Sequence, residues 1–350
     1  VKSLPPWETG YDSERFNIRS AQAPTRLISM ITVYDAVGGK LIQRTEPGDL
    51  ATSVWIDLVN PGEDEDKNIE QALRIEVPTR SEMREIEASN RFYTENGAYY
   101  MTSIILHNSS QDVPMSSVIT FILSGPHLVT VRYAEPKAFP VYVARAAKGD
   151  VDCVTGAGVM IGLFEMLIER EADLIERVQD EVEKIAPLVF GQQGRTSHEH
   201  SLSVLLKTVG REGDVTARAQ ESAMSLHRLS LYFANAARER KDDSRVLGRI
   251  EAANHDILSL MESMRFLSAR TSFLLDATLG MISTEQNQII KLFSVMAVML
   301  MPPTLVASIY GMNFQHMPEL ALQWGYPLAL ILMFVSGLVP YLYFKKKGWL

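Results

Sequence analysis

The sequence predicts a mixed α/β domain, then long α-helices, then a two-helix transmembrane hairpin at the C-terminal end. Three observations predict this architecture. Strand-like and helix-like stretches alternate, with hairpin punctuation, up to about residue 150. Beyond that point the apolar residues follow a helical period with no further strand signal. Residues 292–309 and 327–344 are two uncharged apolar runs of 18 residues each. At about 1.5 Å of rise per residue each run is about 27 Å long, close to the hydrocarbon thickness of a bilayer.

Composition alone hides the hairpin. The chain has 350 residues, 46% hydrophobic and 22% charged, ordinary globular proportions that leave room for two or three domains. Its net charge of −8 argues against a nucleic-acid partner. That charge fits a solubilising surface or one that handles cations, and both readings stay open. The one cysteine, Cys153, excludes a disulfide within the chain and any cysteine-rich metal site. Residues 1–25 are polar, with Pro5, Pro6 and Pro24, and lack the apolar stretch of a signal peptide. A start at Val1 rather than Met is expected of a trimmed or incomplete terminus. Membrane insertion is then expected to be directed by the C-terminal hairpin.

Residues 1–26 read as a flexible lead and residues 27–150 as the α/β domain. Residues 27–34 form a strand candidate, with Val37-Gly38-Gly39-Lys40 as a turn before Leu41 and Ile42. Residues 53–59 form another, ended by Asn60-Pro61-Gly62. The acidic Glu63-Asp64-Glu65-Asp66 suits the first turn of a helix, expected to continue through Ile69, Leu73 and Ile75. A short helix containing Met83, Ile86 and Ala88 is expected after Thr79-Arg80-Ser81-Glu82. Three more strands are expected at 98–106, 116–123 and 127–133, punctuated by Asn96-Gly97 and Ser124-Gly125-Pro126. A helix over 139–147 closes the domain. No G-x-S-x-G, P-loop or H-E-x-x-H pattern occurs, and no enzyme is expected.

Residues 151–243 read as an antiparallel helical pair. Over 159–187 one stripe holds Ile161, Phe164, Leu167, Leu174, Val178, Val182 and Ile185. The other face carries Glu165, Glu169, Glu171, Asp173, Glu176, Asp180, Glu181 and Glu183, and is either solvated or attractive to divalent cations. Gly156-Ala157-Gly158 with Gly162 has the wrong spacing for a dinucleotide loop and reads as a glycine-tolerant helix start. His198-Glu199-His200 lacks partners for a metal site and reads as a turn before a second helix over 202–240.

Residues 244–288 carry the longest pattern in the chain. Val246, Ile250, Ala253, Ile257, Leu260, Met264, Leu267, Thr271, Leu274, Thr278 and Met281 alternate steps of four and three, a heptad seam. One helix is expected from Ser244 to Tyr310, on the order of 100 Å. Such a helix needs lateral partners, and self-association around the seam is expected.

The spans are then 289–310 and 327–344, with a loop over 311–326 and a basic tail over 345–350. Lys345-Lys346-Lys347 places the C-terminus in the cytoplasm, and two spans return the N-terminal part to the same side. The loop carries Glu319 and no Lys or Arg, which agrees. The second span is apolar nearly all round and reads as lipid-facing. The first shows Asn287, Ser294, Ala297, Met301, Thr304 and Ser308 at steps of three, four or seven, a polar-and-small stripe. Periodicity leaves two readings open: tight helix packing, or the wall of a pore that several copies would enclose.

Tyr310-Gly311-Met312-Asn313-Phe314, Met317-Pro318-Glu319-Leu320, Trp324-Gly325-Tyr326-Pro327 and the closing Tyr343-Phe344-Lys345-Lys346-Lys347-Gly348-Trp349-Leu350 resemble the CorA magnesium transport family. Met301-Pro302-Pro303-Thr304-Leu305 and Glu285-Gln286-Asn287 fit it too. The resemblance implies a funnel-shaped homopentamer in the bacterial inner membrane, with the first span lining one pore. It implies Mg2+ influx, with Co2+ and Ni2+ also passed, no prosthetic group, and Mg2+ as both substrate and regulatory ligand. The partners implied are other copies of the chain, the lipid bilayer and divalent metal ions, with no nucleic acid. Tyr310, Gly311, Met312 and Asn313 would form the selectivity filter. Asn287 and Thr304 would be polar rings, Ile290, Phe293 and Met301 apolar constrictions, and Ala297 and Ser308 further lining. Glu319 would concentrate cations at the mouth. Regulation would bring Glu85 toward Glu251 or Asp256 of the next subunit. Here the sequence departs from the family, reading Arg84-Glu85 where an acidic pair is common. A zinc transporter of the same superfamily is the alternative, disfavoured by Met312. A membrane-anchored coiled-coil signalling protein is the alternative from another class.

Overall fold

The computed structural model describes residues 30–44, 48–85, 87–107, 114–190, 202–312, 317–318 and 323–349. It divides into two compact units, Val1–Glu181 with Gly213–Ser268, and Val182–Glu212 with Ala269–Leu350. The first unit is built on a seven-stranded sheet in the order β2-β1-β3-β7-β6-β5-β4. Its strands are β1 (Met30–Val37), β2 (Lys40–Gln43), β3 (Trp55–Val59), β4 (Phe92–Glu95), β5 (Ala98–His107), β6 (Met115–Ser124) and β7 (His127–Arg132). Neighbours pair antiparallel except β3 and β7, which are parallel. All five residues of β3 are buried, as expected of a central strand covered on both faces.

One face of the sheet packs Ile56, Leu58, Tyr100, Ile122, Val129 and Val131 against Ile69 of α1 (Glu63–Leu73). On the other, Trp55 stacks on Tyr34 at 4.5 Å and meets Phe139 and Tyr142 of α3 (Ala138–Lys148) at 6.0 Å each. Beside Trp55 lies a buried ion pair, Arg132 to Asp57 at 2.8 Å, with Thr130 donating to Asp57 at 2.7 Å. The pair bridges the two parallel strands, and its remaining hydrogen-bonding groups are used by the same cluster, so its burial is matched.

Several expectations need correction. The first helix stops at Leu73 because Arg74 is left-handed (φ 54°), so Ile75 leaves the helix, although it is buried. The short helix is instead a 3₁₀ turn over Glu82–Arg84 and a single turn, α2 (Ala88–Arg91), with extended Glu85 between them. Ile86 lies outside the described residues. β4 had no apolar run to announce it. It pairs with β5 across Asn96 (φ 51°) and Gly97 (φ 79°), a turn whose two positive φ values suit Asn-Gly.

Three long helices follow: α4 (Gly156–Val189), α5 (Leu202–Arg240) and α6 (Ser244–Tyr310). The glycines at the start of α4 serve packing. A Cβ on Gly156 would lie 2.5 Å from the His127 carbonyl carbon, and one on Gly162 would overlap the Tyr142 ring. His198-Glu199-His200 lies outside the described residues.

The acidic face of α4 is not uniformly solvated. Glu165 pairs with Arg249 at 2.6 Å, Glu169 with Arg145 at 3.0 Å, and Glu183 with Arg270 at 3.6 Å. Glu171 is buried. The seam of α6 corrects another expectation. Val246, Ile250, Ala253, Ile257, Met264, Leu267, Thr271, Leu274 and Thr278 are buried within the single chain, so the seam packs internally rather than against copies. Its flanks bond to both neighbours: Asn254 accepts from Ser230 at 2.7 Å on α5, while Arg249 reaches Glu165 on α4. Beyond the seam, α7 (Gly325–Lys346) is the last helix.

Candidate functional site

The candidate site lies on the last third of α6 and the residues just beyond it. Pro302 and Pro303 sit inside this helix. Lacking N–H groups, they leave the carbonyls of Val298 and Met299 without their usual donors four residues on. The helix nevertheless continues to Tyr310. Thr304 donates its hydroxyl hydrogen to the Leu300 carbonyl, a back-bond that occupies the donor and leaves the oxygen free to accept.

The side of α6 that faces α7 is identifiable. A Cβ added to Gly337 of α7 would come within 3.3 Å of Pro303 Cγ and 3.4 Å of the Met299 carbonyl oxygen. Val295 is fully buried, and Pro302, Val306 and Tyr310 are half-buried, all on that side by the 3.6-residue period. The close helix contact therefore uses Gly337, Met299 and Pro303. The polar-and-small stripe is elsewhere. Asn287, Ile290, Phe293, Ala297, Met301, Thr304 and Ser308 are all exposed, and by the same period they lie on the opposite side of α6. Phe293 and Met301 are 66% and 69% exposed, which in a membrane helix marks either lipid contact or the place of another copy.

At its C-terminal end the helix closes through Gly311, whose N–H donates to the Ala307 carbonyl at 3.0 Å, and Met312, whose N–H donates to the Ile309 carbonyl at 3.3 Å. A Cβ on Gly311 would sit 3.1 Å from the Ala307 carbonyl oxygen, so a larger residue would crowd this exit. Met312 is exposed. Asn313 and Glu319 lie outside the described residues.

The nominated regulatory residues are not brought together within one chain. Glu85 accepts from Asn90 Nδ2, and its carbonyl accepts from Arg91 Nε at 2.7 Å. It lines a groove of about 370 Å³ with Glu76, Glu82 and Glu95. Asp256 lines a separate groove of about 450 Å³ with Glu165 and Glu169, and Glu251 pairs with Arg238 at 3.2 Å. Among the described residues no group of three or more His, Cys, Asp or Glu is placed to hold a metal ion.

Sequence reasoning missed Glu171. Its carboxyl contacts the Ser222 hydroxyl of α5, which also reaches the Ile104 carbonyl of β5 at 3.1 Å. One hydroxyl has one hydrogen, so a neutral carboxylic acid donating to Ser222 satisfies all three groups. Burial pushes the Glu171 pKa up to about 8, against the lowering by Ser222. Ser225, one turn on, accepts from the Ile104 N–H at 2.9 Å. Together the two serines cover the stretch of β5 that the short β4 does not reach. Only the spacing of Ser222 and Ser225, two small polar residues one turn apart on α5, hinted at this.

Residues 51–346 match the model of the CorA-like Mg2+ transporter protein family. The chain belongs to this family. It is 36% identical over 310 residues to the magnesium transport protein CorA of Yersinia pseudotuberculosis, covering 88% of this chain and 96% of that one. Against the CorA of Escherichia coli K12 it is 36% identical over 313 residues, covering 88% and 95%. Its fold matches the complete structure of the CorA magnesium transporter from Methanocaldococcus jannaschii with a TM-score of 0.70 at 16% identity, covering 93% of this chain and all of that one. The full-length CmaX protein shares the fold with a TM-score of 0.58 at 14% identity, covering 91% and 97%. CorA-family proteins are ion transporters and not enzymes. Two helices, α6 and α7, are long and apolar enough to cross a membrane, which agrees with that membership.

Proposed function

We propose that this chain assembles as a homopentamer in the bacterial inner membrane and passes Mg2+ into the cytoplasm through a pore lined by α6. The observation that carries this reading is the sidedness of α6. Its small-residue contact with α7 uses one face, which leaves the stripe from Asn287 to Ser308 exposed on the other among the described residues. Tight packing against α7 therefore does not account for the stripe, whereas a central pore shared by several copies does. The relatives named magnesium transport proteins, at 36% identity, support Mg2+ as the cargo.

The chemistry fits. Mg2+ sheds its waters reluctantly and prefers oxygen ligands in octahedral geometry. Amides of Asn313 and carbonyls near Gly311 bind the hydrated ion without stripping it, and neutral groups let it leave. Tyr310 and Met312 complete the filter, and Glu319 concentrates cations at its mouth. Along α6, Ile290, Phe293 and Met301 form apolar constrictions that close by dewetting. Asn287, Thr304 and Ser308 offer oxygens, and Ala297 provides width. No ATP motif is needed. A divalent ion gains about 4.6 kcal/mol per 100 mV of inside-negative potential. Lys345 to Lys347 support a cytoplasmic position for both termini.

Since the seam is internal, the subunits meet on the exposed face of α6 that carries Leu258, Phe266 and Phe273, spaced eight and seven residues apart. Cytoplasmic Mg2+ then gates the pore through acidic groups shared between subunits, with Glu85 facing Glu251 or Asp256. Co2+ and Ni2+ pass as well. Uptake of Mg2+ against Zn2+ into liposomes, for the unmodified chain and Asn313→Ala, tests the reading. Mg2+ uptake well above Zn2+ uptake, reduced at least tenfold by the substitution, is the expected result. Mg2+ flux that ignores the substitution would overturn the filter.

A further inference from the structure

The chain ends α7 with a sequence whose geometry is local and specific. Lys347 is the C-cap of α7, Gly348 adopts φ +68°, and Trp349 follows. The Trp349 N–H donates to the Phe344 carbonyl at 3.0 Å, and the Gly348 N–H to that of Lys345 at 3.1 Å. These are the two bonds of a Schellman cap, which needs a residue in the left-handed region and so selects glycine. Such caps bring the residue after the glycine back onto the helix, and here the Trp349 indole stacks on the Phe344 ring at 5.4 Å and 22°.

The cap does more than finish α7. It holds the indole within 5.3 Å of the Lys291 ammonium on α6, while Lys347 approaches the same ring at 5.6 Å. A cation that near an indole centroid is attracted by the ring quadrupole. Lys291 directly follows Ile290 and stands two residues before Phe293, the two innermost constrictions of the proposed pore. We infer that Trp349 is a positioning residue: seated by the Gly348 cap, it grips Lys291 and fixes the rotation of the inner end of α6. The inference rests on the pore reading for its consequence, but the grip itself does not. If α6 turned by one residue's angle, about 100°, Lys291 would leave the indole and Ile290 and Phe293 would leave their stripe together.

The test uses the full chain in liposomes with Phe293→Cys as a reporter, the native Cys153 being buried. The rate of labelling by a charged thiol reagent is measured alone and with Trp349→Ala, Lys291→Gln, both together, Trp349→Phe and Lys291→Arg. Trp349→Ala and Lys291→Gln are each expected to change the rate by about threefold, in the same direction, with the double variant no different from either. Trp349→Phe and Lys291→Arg should stay near the reference rate, which a general loss of packing would not explain. Independent, multiplying effects, or no effect of Trp349→Ala, would overturn the inference. Mg2+ flux measured in parallel separates the two ideas. Coupled labelling in the reporter, with no Mg2+ flux through the unmodified chain, supports the grip and overturns the pore.

Discussion

Along α6, residues 246–278 bury their apolar seam against helices of the same chain, whereas residues 287–308 leave a stripe exposed. The first stretch is a finished interface, with Asn254 and Arg249 bonded to α5 and α4. The second has α7 on one face only. One helix therefore carries both a seam packed within the chain and a stripe left exposed. The heptad period was the stronger sequence signal, yet it marked the intramolecular half. The weaker stripe marked the half that α7 leaves exposed.

That difference breaks most sharply under a charge. Ile257→Asp buries an unpaired carboxylate in the seam and should destabilise the detergent-solubilised chain by about 4 kcal/mol, read as loss of helical signal on heating. Met301→Ser, on the exposed stripe, should move stability by less than about 0.5 kcal/mol while altering Mg2+ flux. Equal effects on stability would erase the distinction between the two halves.

The packed half also holds an acid, and this makes its stability depend on pH. Glu171 has a folded pKa of about 8 against an ordinary 4.5. Between those values the folded state keeps a proton that the unfolded chain releases, so stability falls as pH rises and levels off above about 8. The expected loss across the window is on the order of 5 kcal/mol. Glu171→Gln, a neutral donor in the same place, should remove most of that slope in melts taken at pH 5, 6.5 and 8. An unchanged slope would mean that the carboxyl is ionised in the fold.

Much of this architecture could be read from the residues. α6 begins and ends at Ser244 and Tyr310, as the unbroken period implied, because only Gly248, Gly280, Pro302 and Pro303 between them oppose a helix. β5, β6 and β7 each lie within a residue or so of their apolar runs. Legibility failed where a long-range partner decides. β4 is short and half polar, and exists because β5 offers it an edge. Glu171 looked like its solvated neighbours until α5 and β5 closed over it. In the candidate site the stripe was legible but its meaning was not. The place of Gly337 against Pro303, with the burial of Val295, shows which side of α6 α7 occupies.

That contact is the next place to press. Gly337→Leu would drive a side chain into Pro303 and the Met299 carbonyl, separating the hairpin at a cost of about 2 kcal/mol. Gly280→Leu, with open space around its Cβ position on the same helix as the stripe, should be tolerated. If both were tolerated equally, α7 would not be held where Gly337 places it.

The effect expected on stability at Thr304 is also small, and this position discriminates between the two uses of the stripe most finely. The hydroxyl hydrogen is committed to the Leu300 carbonyl, so its lone pairs are what the exposed side of α6 presents. Thr304→Val keeps the shape and removes the oxygen, costing about 0.6 kcal/mol or less within the membrane. If the stripe faced lipid, removing a polar atom would leave transport unchanged. Facing a hydrated Mg2+, the lost acceptors should lower flux severalfold at unchanged thermal stability, and Thr304→Ser, which restores the oxygen, should recover it.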